Sequence, residues 1–174
     1  MTDEAGETMV RMGELFVSRA PGHVLASIGL GSCIGLALID PTRSLAGLAH
    51  IMLPTSNGDL ESPVGKFADR AVPALLESLA SIGAMRSRLE AVLVGGAQMF
   101  SFGSSSGLDI GRRNELATRE ALDKAGIGVR AAATGGDKGR TVRVHVATGF
   151  VTVKEPGTPE IELFSAVAAG GRTR

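Results

Sequence analysis

The chain has 174 residues, enough for one domain with a sizeable core, and its hydrophobic residues (44%) are mostly aliphatic, with no Trp and no Tyr. Lys plus Arg balances Asp plus Glu, so nothing in the composition calls for nucleic acid or an anionic membrane as a partner, and the shortage of aromatic rings argues against stacking on single-stranded bases. One cysteine excludes an internal disulfide and a multi-cysteine zinc site, and a lone thiol suits a reducing compartment.

The first twelve residues are polar and acidic, without the apolar core of a signal peptide, and no apolar run reaches the about 18–20 residues of a membrane helix. The expectation is a soluble, cytoplasmic protein with one domain over residues 13–167 and flexible tails at 1–12 and 168–174.

Glu14 to Ser18 reads as a first short strand, followed by a Pro21-Gly22 turn. Val24 to Ile28 is a second strand, closed by Gly29, Leu30 and Gly31. Cys33 to Asp40 alternates, with Ile34, Leu36 and Leu38 on one face and Cys33, Gly35, Ala37 and Ile39 on the other. Asp40-Pro41-Thr42-Arg43 is a turn signal, and Leu45 to Leu53 returns as the next strand, stopped by Pro54. Lys66 to Ile82 has helical spacing through Phe67, Ala71, Leu75, Leu79 and Ile82, with Pro73 inside it and Gly83 as cap. Leu89 to Val94 is a buried strand ended by Gly95-Gly96. A Gly/Ser-rich loop over Phe100 to Gly111 precedes a second helix, Arg112 to Lys124. Val129 to Ala133 is a strand, Thr141 to Val146 and Phe150 to Lys154 form a hairpin, and a short apolar stretch runs from Ile161 to Val167. Many strands with two principal helices predict an α/β (α+β) layered sandwich on a mixed, mainly antiparallel sheet.

The chemistry-bearing residues concentrate between Ser27 and His50. A two-residue turn pairing Asp40 with Arg43 would set Cys33 directly opposite His50, although Pro41 disfavours that primed turn. A four-residue turn pairing Asp40 with Leu45 would set the two diagonally on one face. Either way their Cβ atoms fall roughly 4.5–8 Å apart. A three-residue turn would put them on opposite faces. On the shared face an imidazole takes the thiol proton, and a third group on its other nitrogen fixes the tautomer. Ser27, just before the glycine turn, is the candidate for that third group. The backbone N–H groups of Gly31, Ser32 and Cys33 are candidates for an oxyanion hole.

Leu30-Gly31-Ser32-Cys33-Ile34-Gly35-Leu36-Ala37-Leu38-Ile39-Asp40-Pro41, followed by Gly47-Leu48-Ala49-His50-Ile51-Met52-Leu53-Pro54, resembles the signature of the chemoreceptor glutamine deamidases, the CheD family. Further matches follow in order at Gly65-Lys66-Phe67-Ala68-Asp69, Gly95-Gly96-Ala97-Gln98-Met99-Phe100, Ile110-Gly111-Arg112-Arg113-Asn114, and Gly135-Gly136 with Gly139-Arg140-Thr141-Val142. The resemblance implies a fold similar to the cytotoxic necrotizing factor catalytic domain. It implies hydrolysis of glutamine side chains on the cytoplasmic helices of chemoreceptors, in chemotaxis adaptation. Cys33 would be the nucleophile and His50 the base, with Ser27 standing where the family commonly has Thr. Ala133 stands where the family often has an acidic residue. No metal or organic cofactor is implied. A CheC-type phosphatase is implied as a partner, which keeps an adaptor role as the competing reading. Receptor methylesterase activity is an alternative at the same site. Outside this stretch, His23, His145 and the Arg112-Arg113 pair read as solvated surface, and the two Gly-Gly pairs as tight turns after strands.

Overall fold

In the computed structural model, which describes residues 6–99 and 109–165, the alternating strands sort into two sheets. The strands are β1 (Glu7–Met9), β2 (Leu15–Ser18), β3 (Val24–Leu30), β4 (Ile34–Asp40), β5 (Leu45–Ile51), β6 (Glu90–Gly95), β7 (Val129–Thr134), β8 (Arg140–His145), β9 (Phe150–Lys154) and β10 (Ile161–Ser165), with helices α1 (Ala68–Ser81) and α2 (Ile110–Ala125). One sheet has the order β1-β3-β8-β9-β10, the other β2-β5-β4-β6-β7. The β1/β3 and β6/β7 pairs are parallel and the rest antiparallel.

The faces predicted for β4 hold. Ala37 and Ile39, with Ala46 and Leu48 of β5 and Val92 and Val94 of β6, pack against Leu25, Val142, Val144 and Val151 of the opposite sheet. Ile34, Leu36 and Leu38 pack on the other side beneath Val72, Leu75 and Leu79 of α1 and Leu122 of α2. The result is three layers: sheet, sheet, helices. It also explains why every residue of β4 and β5 is buried. The middle sheet is covered on both faces, whereas a sheet solvated on one side would alternate buried with exposed.

Three expectations need correction. The segment placed in a flexible N-terminal tail contains β1, which pairs in parallel with Val24–Ala26 and delivers Val10 into the core at 1% exposure. Three residues are too few to show a strand period. The first helix starts two residues later than expected, because Val64–Lys66 is a separate 3-10 turn and Phe67 is extended at φ −112° and ψ 136°. Pro73 lies inside α1, one turn past its start, and forfeits only the bond to the carbonyl of Asp69. The second helix runs two residues further back and one further on, to the left-handed Gly126 at φ 74°. Most of the expected Gly/Ser-rich loop lies outside the described residues, as do 1–5 and the tail from 166.

Candidate active site

Strand register settles whether the thiol and the imidazole share a face. Asp40 pairs with Leu45 and Gly35 with His50, which is the four-residue turn. Asp40 closes it, accepting from the N–H and hydroxyl of Thr42 at 3.1 and 2.8 Å. Cys33, two residues before Gly35, therefore sits diagonal to His50, on the side of β4 that faces the opposite sheet. Gly35, opposite His50, leaves room for the Leu30 and Val142 side chains of the facing sheet. A Cβ there would lie 2.9 Å from a Leu30 methyl.

His50 is held on every side. Its N–H donates to the Glu14 carbonyl and its carbonyl accepts from the Gly13 N–H, both at 2.9 Å. Its Nδ1 lies 3.1 Å from the Val10 carbonyl. A carbonyl only accepts, so Nδ1 carries the proton and Nε2 keeps a free lone pair. Ser27, expected to serve the imidazole directly, is fully buried and donates its hydroxyl proton to the same Val10 carbonyl at 2.8 Å. The Val10 N–H is fixed in turn on the Ala26 carbonyl at 2.7 Å. The group that orients the histidine is thus a backbone carbonyl, braced by Ser27. Burial pulls the His50 pKa below its usual value, against smaller opposing effects of the Val10 bond and the nearby Glu14 charge. Burial pushes the Cys33 thiol up, and among the described residues nothing hydrogen-bonds its Sγ. Burial therefore favours the neutral form of both the thiol and the imidazole.

Preceding β4, the Gly31–Cys33 loop is pinned by its carbonyls. Gly31 O accepts from the Ala97 N–H at 2.8 Å, Ser32 O from Asn114 Nδ2 at 2.9 Å, and Cys33 O from the Gly96 N–H at 2.8 Å. Among the described residues, the N–H groups of Gly31, Ser32 and Cys33 have no partner. Gly95 makes this approach feasible, since a Cβ at that position, where φ is +113°, would lie 2.1 Å from the Cys33 carbonyl oxygen. The Gly95-Gly96 pair is thus an anchor for the Gly31–Cys33 loop as well as a turn. Met99 lies over Gly31, with its Cγ 3.0 Å from where a Gly31 Cβ would be, and is 45% exposed.

Val10 and Asn114 were not singled out as site residues from the sequence. For Asn114 a signal existed in the Ile110–Asn114 motif; for Val10 there was none, because it contributes a main-chain oxygen. His23 is half-buried, with Nε2 2.6 Å from Thr8 Oγ1 and Nδ1 2.7 Å from Ser18 Oγ, so it ties β1 to β2 across the two sheets. Among the described residues no group of three or more His, Cys, Asp or Glu is placed to hold a metal, and no helix is long and apolar enough to cross a membrane. A thiol, an imidazole of fixed tautomer and amide donors without a partner among the described residues together suit acyl transfer.

A family model described as CheD chemotactic sensory transduction matches residues 52–155. The chemoreceptor glutamine deamidase CheD of Thermotoga maritima is 41% identical over 152 residues, covering 87% of this chain and 94% of that protein. The probable chemoreceptor glutamine deamidases CheD of Methanococcus vannielii and Symbiobacterium thermophilum are 43% and 45% identical, covering 84% and 88% of this chain and 93% and 95% of theirs. Among solved structures, the hypothetical protein YfiH of Bacillus licheniformis aligns at a TM-score of 0.45 and 15% identity over 71% of this chain and 49% of its own.

Proposed function

Because the chain belongs to the CheD family, whose relatives above carry the name chemoreceptor glutamine deamidase, we propose that it hydrolyses glutamine side-chain amides of chemoreceptors by way of a Cys33 thioester. The observation that carries this reading is the Nδ1–H bond of His50 to Val10, which leaves Nε2 basic on the face that Cys33 shares.

His50 Nε2 takes the Cys33 proton as Sγ bonds to the carboxamide carbon, and the carbonyl π pair moves onto oxygen. The free N–H groups of the Gly31–Cys33 loop are the donors available to that oxyanion. Collapse of the intermediate breaks the C–N bond, and the imidazolium returns its proton to the departing nitrogen, releasing ammonia. Nε2 then deprotonates a water that attacks the thioester. The C–S bond breaks, sulfur recovers the proton, and glutamate remains. Burial raises the thiol pKa, so the reaction draws on His50 to remove the proton. Ser27 acts through Val10, by holding the carbonyl that holds the ring.

The test is ammonia release from a purified receptor cytoplasmic fragment, with mass spectrometry locating the amide-to-acid conversions. Cys33→Ala should lower the rate by at least about 10³-fold. Wild-type turnover in that variant rules the mechanism out.

A further inference from the structure

Of the three anchored carbonyls in the nucleophile loop, two are held by backbone and one by a side chain. The exception is Ser32 O, held by Asn114 Nδ2 at 2.9 Å. The same Nδ2 donates to the carbonyl of Met52, also at 2.9 Å, just beyond the end of β5. One carboxamide on α2 therefore spans the chain entering Cys33 and the chain leaving His50. Its orientation is not open to choice. Exchanging Nδ2 with Oδ1 would set an acceptor against two carbonyl oxygens. Asn114 is fully buried, and its Oδ1 has no partner among the described residues. Both donors are committed while the acceptor is idle, so this side chain serves the two carbonyls and nothing else that is described.

The Ser32 carbonyl and the Cys33 N–H belong to one planar trans peptide, in which C=O and N–H point in opposite directions. Fixing the oxygen on Asn114 fixes the direction of the Cys33 N–H. We propose that Asn114 is a positioning residue for the oxyanion hole: it locks the Ser32–Cys33 peptide so that the Cys33 amide faces the reacting carbonyl, and ties that peptide to the strand that carries the base. This rests on the reading of Cys33 and His50 as nucleophile and base. Without the carboxamide, the Ser32 carbonyl loses its donor and this peptide is free to rotate, while Gly31 and Cys33 keep their carbonyl anchors on Ala97 and Gly96.

The test separates oxyanion stabilisation from thiol exposure. Asn114→Asp, which keeps the shape but replaces the two amide N–H donors with at most one O–H, and Asn114→Ala are compared with Thr118→Val. Thr118 is buried one turn further along α2 and bonds only the Asn114 backbone carbonyl, at 2.8 Å. Three quantities are measured: kcat and KM for ammonia release from the receptor fragment, the Cys33 alkylation rate with iodoacetamide, and Tm. Alkylation needs the thiol but develops no oxyanion. The expected result is a fall in kcat of about 10²-fold in both Asn114 variants, as for loss of one oxyanion donor, with KM and alkylation within about twofold of wild type and Thr118→Val near wild-type kcat. The inference is overturned if kcat is unchanged, if it falls only in parallel with alkylation and Tm, or if neither Asn114 variant folds, which would make the residue purely structural. Inactive Cys33→Ala alongside fully active Asn114 variants would overturn this inference alone. Active Cys33→Ala would overturn the catalytic reading beneath it.

Discussion

A histidine whose Nδ1 faces a carbonyl has no choice of neutral tautomer, and at His50 that carbonyl belongs to Val10. Burial then favours the neutral ring, because the charged form loses more on desolvation than it recovers from Val10 and Glu14. The sign of the pH dependence follows. His50 in the folded protein titrates below its usual 6.5, so the acid limb of kcat/KM should have its midpoint below pH 6.5. Linkage gives the same direction for stability. The unfolded chain takes up the proton first as pH falls, so the stability that His50 contributes is fully present above about pH 6.5 and is lost as pH falls through the lowered folded value. Denaturant titrations at several pH values should show this loss, and His50→Gln should flatten it. An acid limb above pH 6.5, or a His50→Gln profile as steep as the wild type, would contradict the assignment.

At the scale of elements, the β4–β5 hairpin supplies the pair, and the turn after β6 supplies the anchor. Its four-residue turn puts thiol and imidazole on one face, and a turn one residue shorter would separate them. Gly95 lets the Gly31–Cys33 loop lie directly on the end of β6. In Gly95→Ala the new methyl would sit 2.1 Å from the Cys33 carbonyl oxygen at a φ of +113°, so the loop must move. Overpacking of this kind costs about 1–3 kcal/mol, and a shift of about 1 Å in a nucleophile costs about 10²-fold in rate. Urea unfolding and the ammonia assay should register both. Gly83→Ala gives the contrast: it has positive φ but no atom within 4 Å of the added Cβ, so it should cost stability without touching kcat.

The whole molecule places the site between two sheets, under the carbonyl of Val10, the residue that follows β1. Removing residues 1–12 should therefore do more than trim an edge. It takes away β1 and the Val10 carbonyl on which both Ser27 and His50 close. The expected outcome is a loss of at least about tenfold in kcat, in line with losing one hydrogen bond to the proposed base together with its bracing. A truncated chain with wild-type kcat would show that the carbonyl is dispensable. Much of the remaining design was legible beforehand. The alternation of β4 gave its two faces, the aspartate-proline turn and the return strand gave a hairpin, and the apolar spacing of α1 gave the side that meets the sheet. These are periodic or short-range features, so neighbouring residues suffice to set them. What only the tertiary structure decided spans distance: Ser27 to Val10 across 17 positions, His50 to Val10 across 40, and Asn114 to Ser32 across 82. Two of these three contacts end on Val10 O and the third on Ser32 O, and a main-chain carbonyl carries no side-chain identity. The sequence by itself therefore determined which side chains could carry the chemistry and reduced their relation to a question of turn length, which the strand register answered by placing them on one face. The packing of sheet on sheet and of α2 on the loop decided which backbone oxygens orient them, because only the closed chain brings those atoms within hydrogen-bond reach.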